Sequence, residues 1–122
     1  MKLVKILCLA VLMLLPVAPS GVFAQNTATT EIMNEAFFLG RASKCIPASK
    51  NTEAFGRDVG SAFAGYYMKK YPRLDRQEIF NAYISGMGFG IGEQEKKGKA
   101  ECPQVINEAN KILKKVGAQG RF

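Results

Sequence analysis

Residues 79–92 read IFNAYISGMGFGIG, an uncharged run with glycine at 86, 88, 90 and 92. As a strand, it would put Met87, Phe89 and Ile91 on one face and the glycines on the other, a period of two. As a helix, it gathers Ile79, Phe80, Tyr83, Ile84, Met87 and Ile91 on one broad arc, opposite a stripe of Asn81, Ser85, Gly88 and Gly92. The residues just upstream decide for the helix. Asp75-Arg76-Gln77-Glu78 has the form of a capping box, with Asp75 accepting from first-turn amides and Glu78 reaching back. The charged string Glu93 to Glu101 then reads as a frayed end or exposed loop.

Three more helices flank this one. Glu31 to about Lys44 carries Ile32, Met33, Ala36, Phe37, Leu39 and Gly40 on one side and ends where Pro47 pushes Ile46 out of helical geometry. Phe38 falls off that face, either to pack beside Cys45 or to stand exposed as a contact. Thr52 is a suitable N-cap for a second helix running to about Tyr71, with an apolar arc of Phe55, Val59, Ala62, Phe63, Tyr66 and Tyr67. Pro103 fits the first turn of a last helix, whose Val105, Ile106, Ala109, Ile112, Leu113 and Val116 recur at helical spacing before Gly117 closes it. Glycine costs about 1 kcal/mol against alanine inside a helix. Gly56, Gly60 and Ala64 on one helix, with Gly86 and Gly90 on the next, therefore point to a close backbone approach between these two neighbours.

The first 24 residues have the order of a secretory signal: Lys2 and Lys5, an apolar run from Ile6 to Leu15, prolines, and a Val22-Phe23-Ala24 cleavage site. An uncleaved anchor is the rival reading, against which the run is shorter than the ~20 residues that span a bilayer. The mature chain would be a single domain, residues 25–122, with a polar and mobile start over 25–30, exported to the periplasm or secreted. Cys8 leaves with the signal, and Cys45 and Cys102 form the one possible disulfide. The fold class expected is all-α, a small four-helix bundle stapled by that bond.

Net charge is +7, or +5 once Lys2 and Lys5 are removed. An exported basic chain meets anionic lipid, acidic glycan or an acidic protein rather than nucleic acid. Lys96, Lys97, Lys99, Lys111, Lys114 and Lys115 are the candidate partner contacts, or else merely solvated helix faces. Catalysis finds little to work with. Histidine is missing, so the commonest general base is too. Asp75 and Glu78 are explained by capping, and Glu93 and Glu95 lie in a charged string. Two isolated cysteines do not complete a zinc shell, and the glycines match neither G-x-G-x-x-G nor a Walker loop. No enzymatic activity, cofactor or metal is expected.

The series of a helix ending in Cys45-Ile46-Pro47, a second ending near Tyr67, Tyr71 and Pro72, and a third followed by Cys102 resembles the small exported helical immunity proteins of type VI secretion, the Tai-type family. That resemblance implies a non-enzymatic periplasmic protein that binds and neutralises a cell-wall amidase toxin, and it carries over no toxin-contacting residue. The architecture is also similar to the HdeA/HdeB acid-stress chaperones. The expected function is protein binding, with immunity-type inhibition as its most concrete form. The alternatives are a periplasmic chaperone or envelope-stress protein, and a membrane-surface protein using the basic face of Val105 to Val116.

Overall fold

The structure, a computed structural model, describes the backbone of residues 19–122 and the side chains of residues 27–122. It is all-α: α1 (Pro19–Ser43), α2 (Glu53–Lys70), α3 (Arg76–Lys97) and α4 (Cys102–Val116). Each boundary has a local cause. The Thr52 hydroxyl accepts from Phe55 N at 3.1 Å and the Asp75 carboxylate from Glu78 N at 2.8 Å, so both N-caps act as expected. Gly117, at φ +84°, donates to the carbonyls of Leu113 and Lys114 and ends α4 in the left-handed region that glycine tolerates. The expected leader lies outside the described residues, apart from the backbone of residues 19–24, which opens α1. Gln25 to Thr30 is not a loose terminus: it is helical, and Ala28 is buried.

α1 and α3 run parallel, because Met33 meets Gly86, Phe37 meets Gly90 and Arg41 meets Gln94, each pair 53 residues apart. The approach is at backbone contact. A Cβ placed on Gly90 would sit 2.9 Å from the carbonyl carbon of Phe37, within reach of its oxygen, and 3.0 Å from Arg41 N. One on Gly86 would sit 2.8 Å from the Ala36 methyl, and one on Gly40 would press on the Met87 carbonyl. The glycine hydrogens of α3 therefore point at carbonyl oxygens of α1, as weak Cα–H···O contacts. This corrects the expected pairing. Gly86 and Gly90 do pack closely, but on α1; a Cβ on Gly56 or Gly60 would meet nothing within 4 Å. Ala64 is an ordinary buried core residue.

The close approach also rotates α3 from its expected orientation. Its buried line is Ile79, Ala82, Gly86, Gly90 and Gln94. Ile84, placed on the apolar arc by the sequence, is exposed. Seating small residues lets two backbones meet along their length, and that geometry decides the orientation over the burial of any single large side chain. Nor does α3 fray at Gly92, since it continues to Lys97 with Gln94 wholly buried.

α4 lies antiparallel to α1 on its other flank, with Cys102 bonded to Cys45 and Lys115 paired with Glu35. α2 packs on α3 and α4 and closes the bundle. The core joins Ile32, Leu39, Phe63, Tyr67, Ile79 and Leu113, with the Phe63 ring 4.8 Å from Tyr67 and 4.9 Å from Tyr83. Beyond Gly117 the tail folds back, seating Phe122 against Phe55, while Asp58 accepts from the amides of Gln119 and Gly120. The Tyr67 hydroxyl is buried and has no hydrogen-bond partner among the described residues. Tyr67→Phe should accordingly leave thermal stability unchanged or raise it by up to about 1 kcal/mol, whereas Tyr67→Ala, which removes the ring from the core, should cost about 3–5 kcal/mol. Paired melting curves check both.

Candidate docking face

The outward side of α3 carries Asn81, Ile84, Ser85, Gly88 and Phe89, all exposed, with Gly92 half-buried beside them. Ile84 is 63% and Phe89 67% exposed; with Met68 they are the exposed large hydrophobic side chains among the described residues. Between Glu78 and Glu93 no charged residue interrupts this surface, a length of about 20 Å at helical rise. Ile84 and Phe89 stand on either side of a central line of Asn81, Ser85, Gly88 and Gly92. Scattered exposed apolar residues are ordinary; an uncharged helix face carrying two of them stands apart as a candidate docking surface. Sequence periodicity assigned Asn81, Ser85, Gly88 and Gly92 to one stripe correctly, but placed Ile84 with the buried set. Phe89, off the expected apolar arc, was the available signal for an outward aromatic.

Both ends of this face are charged, with Asp75 and Glu78 beside Arg73 and Arg76 at one end and Glu93 and Glu95 beside Lys96 and Lys99 at the other. Arg73 and Arg76 are at its N-terminal end, where Arg76 lies over the Phe80 ring at 5.4 Å rather than against a carboxylate. Lys96 and Lys99 are at the C-terminal end and, like Arg73, have no carboxylate partner among the described residues. The neighbouring acids are engaged: Glu93 with Lys97 at 3.7 Å and Glu95 with Lys44 at 3.4 Å.

The six lysines expected as contacts fall into two separate groups. Lys96, Lys97 and Lys99 surround the α3–α4 connection; Lys111, Lys114 and Lys115 lie toward the far end of α4, a helix about 22 Å long. Lys97, Lys111 and Lys115 are held by Glu101, Glu108 and Glu35, and Lys115 also lies over the Tyr66 ring at 5.5 Å. Only Lys96, Lys99 and Lys114 of the six lack such a carboxylate among the described residues.

A buried polar knot anchors the C-terminal end of α3. Gln94, wholly buried, accepts from Arg41 Nε at 3.0 Å and donates to the carbonyls of Gly98 and Ala100, both at 2.9 Å. Its amide also lies 3.6 Å from Cys102 Sγ. Arg41, 8% exposed, reaches on to Glu101 at 2.5 Å, and Glu101 occupies the N-cap of α4 at φ +65°. Gln94 and Arg41 look like ordinary polar residues in the sequence; only the register of α1 on α3 brings them together. Hydrogen bonds from Arg41 and then Lys97 hold the Glu101 carboxyl below its usual range.

At the opposite end, Glu31 of α1 accepts from Lys70 at 2.5 Å and from the Tyr71 hydroxyl. Burial pushes its carboxyl up, but those hydrogen bonds and the charges of Lys70 and Lys115 outweigh burial and hold it low. Since both carboxyls are depressed in the folded protein, their contribution is complete above the usual value of 4.5 and is lost as pH falls through the lowered values. Melting temperature should therefore drop below that pH, and a Glu31→Gln, Glu101→Gln double variant should show a flatter acid limb in the same titration.

Two shallow grooves lie elsewhere on the described surface. One, of about 240 Å³, is lined by Phe38, Arg41, Glu101, Gln104, Val105 and Glu108; Phe38 itself packs against the core and edge-on to Phe37. The other, of about 330 Å³, lies where α2 meets the end of α4, beside Tyr66 and Lys69. Among the described residues no three His, Cys, Asp or Glu side chains are grouped to hold a metal ion, and no helix is long and apolar enough to cross a membrane. The fold thus defines a small disulfide-bonded helical bundle with one uncharged outward helix face. No protein-family model matches the chain, and no match is found among curated proteins or solved structures.

Proposed function

We propose that the protein is a non-enzymatic, exported binding module that docks a protein partner on the outer face of α3, most concretely as an immunity-type inhibitor of a toxin. The observation that carries this reading is the pairing of exposed Ile84 and Phe89 on a helix face without charge. Side chains of that size in the open lose their contact with water when a partner covers them, and such surfaces mark interaction sites. Removal of residues 1–24 would leave Ala28 and the buried residues after it on α1, so export and folding are compatible. A stoichiometric protein partner should co-purify from periplasm with the native chain and be lost, by about tenfold or more, with Phe89→Glu. Equal recovery with the variant, or no protection of cells against a co-encoded toxin, would count against the respective parts of the reading.

A second reading, an acid-responsive chaperone, is favoured by Glu31 and Glu101. Each ties α1 to another element through a carboxylate that acid would neutralise. Apolar-dye binding and suppression of client aggregation should then rise together below pH 4.5. A dye signal that stays flat to the onset of unfolding rules this reading out. A membrane-surface role for the basic face of α4 is the third, and it requires binding to anionic vesicles at low salt.

A further inference from the structure

We propose a conformational device built into the fold: α2 is a latched flap that leaves the bundle as a unit, while α1, α3 and α4 stay folded as a three-helix body. It rests on how the helices are tied together, and on neither functional reading. The body is tied in three ways. α1 and α3 meet at backbone contact along Gly40, Gly86 and Gly90, the Cys45–Cys102 bond joins α1 to α4, and Gln94 binds α3 to Arg41 and to the turn that enters α4. None of these ties reaches α2. It carries no cysteine, and a Cβ on Gly56, Gly60 or Gly65 meets nothing within 4 Å, so its glycines serve no close approach. Each still weakens the helix relative to alanine. A helix of 18 residues weakened three times does not persist in water once detached, so its amides exchange with solvent whenever it leaves.

What holds α2 is its buried side and a latch at each end. Val59, Phe63, Ala64 and Tyr67 are buried, with the Phe63 ring 4.9 Å from Tyr83 of α3. That side closes at a cost, because the Tyr67 hydroxyl is sealed in without a partner among the described residues, and opening hydrates it. At the C-terminal end, Lys70 and the Tyr71 hydroxyl donate to Glu31 of α1. At the N-terminal end the latch is the strap of residues 118–122. Asn110 of α4 fixes the strap by accepting from Phe122 N at 2.7 Å and donating to its carbonyl at 3.3 Å, and the strap then holds α2 through Asp58 and Phe55. The chain on either side of α2 can serve as a hinge: residues 46–52 are half-buried or exposed, as are Pro72 and Arg73, while buried Leu74 stays with the body.

Hydrogen exchange of the full mature protein, read by mass spectrometry under conditions where rates report opening equilibria, tests the flap. Amides of residues 61–67 in α2 should be protected at least about tenfold less than those of residues 84–90 in α3. Two substitutions separate the flap from ordinary unfolding. Gly65 and Gly88 are both exposed helical glycines at which a methyl group enters open space. Gly65→Ala stabilises the closed form against every opening, so it should slow exchange about two- to fivefold in both helices. Gly88→Ala stabilises a helix that stays folded while the flap is open, so it should slow α3 about two- to fivefold and leave α2 unchanged. Asp58→Ala, which releases the strap, should speed exchange in α2 at least about threefold. Equal protection of α2 and α3 overturns the proposal, and so does a Gly88→Ala variant that slows α2 as much as α3. Unchanged α2 exchange in Asp58→Ala overturns the strap as a latch.

Discussion

Gly90→Ala should destabilise the protein by about 3 kcal/mol, while Gly88→Ala, two residues away on the same helix, should stabilise it by about 0.5–1 kcal/mol. Both substitutions add one methyl group and both remove the entropic cost of a helical glycine. They differ in what the methyl meets. At Gly88 it enters open space, so only the helix-propensity gain is felt. At Gly90 it runs into the carbonyl group of Phe37 and lies 3.0 Å from Arg41 N, and these are backbone atoms of a helix that cannot rotate aside. Relief requires α1 and α3 to separate, which would also loosen Gly86 on Met33 and stretch the Arg41–Gln94 bond one turn further along. Denaturant melts of the two variants give the comparison directly. Expectations of opposite sign at two glycines of one helix make the result independent of any general effect of Gly→Ala. If Gly90→Ala melts with the native protein, the parallel contact of α1 on α3 is wrong.

What the sequence made legible was local chemistry. Thr52 and Asp75 cap their helices because a short polar side chain reaches amides two or three residues away, and Pro103 and Gly117 bound α4 by their own backbone preferences. The disulfide followed from setting Cys8 aside with the expected leader, which leaves Cys45 and Cys102 as the one pair. What was hidden is non-local. Periodicity weighs apolar bulk, so it put Ile84 inside, whereas the approach of α1 seats the glycine line and turns Ile84 out. Neighbouring helices in the sequence invited a pairing of Gly86 and Gly90 with Gly56 and Gly60, but the bundle sets α1, not α2, at backbone distance. Gln94 sits in a string of charges, EQEKK, whose polarity predicts solvent. Its burial depends on three hydrogen-bond partners supplied by α1 and the following turn. The outer face of α3 was half legible: its small stripe could be read from the helical period, but that no described residue covers it could not.

Gln94→Leu should cost about 3–5 kcal/mol, a loss near that of removing the disulfide, for which loop closure predicts about 4 kcal/mol. Leucine fills similar space and is the better helix former, so packing and propensity do not account for the penalty. The cost comes from three orphaned groups: Arg41 Nε loses its acceptor, and the carbonyls of Gly98 and Ala100 lose their donor. Arg41, 8% exposed, is left buried without its acceptor and accounts for most of the cost, while the carbonyls of Gly98 and Ala100 belong to an exposed turn and add less. Glu101 still accepts from Arg41 at 2.5 Å, which keeps the guanidinium partly satisfied and places the cost below that of a fully unpaired buried cation. The Cys45–Cys102 bond closes the same corner of the molecule, with Gln94 only 3.6 Å from Cys102 Sγ. Losses at the two sites therefore should not add. Once Cys45 and Cys102 are replaced by serine, the turn from Gly98 to Glu101 can move to water and expose its carbonyls, so Gln94→Leu in that background should cost less than in the native protein. A double-mutant cycle in denaturant measures the difference, and strict additivity would mean that the knot and the disulfide hold independent parts of the fold.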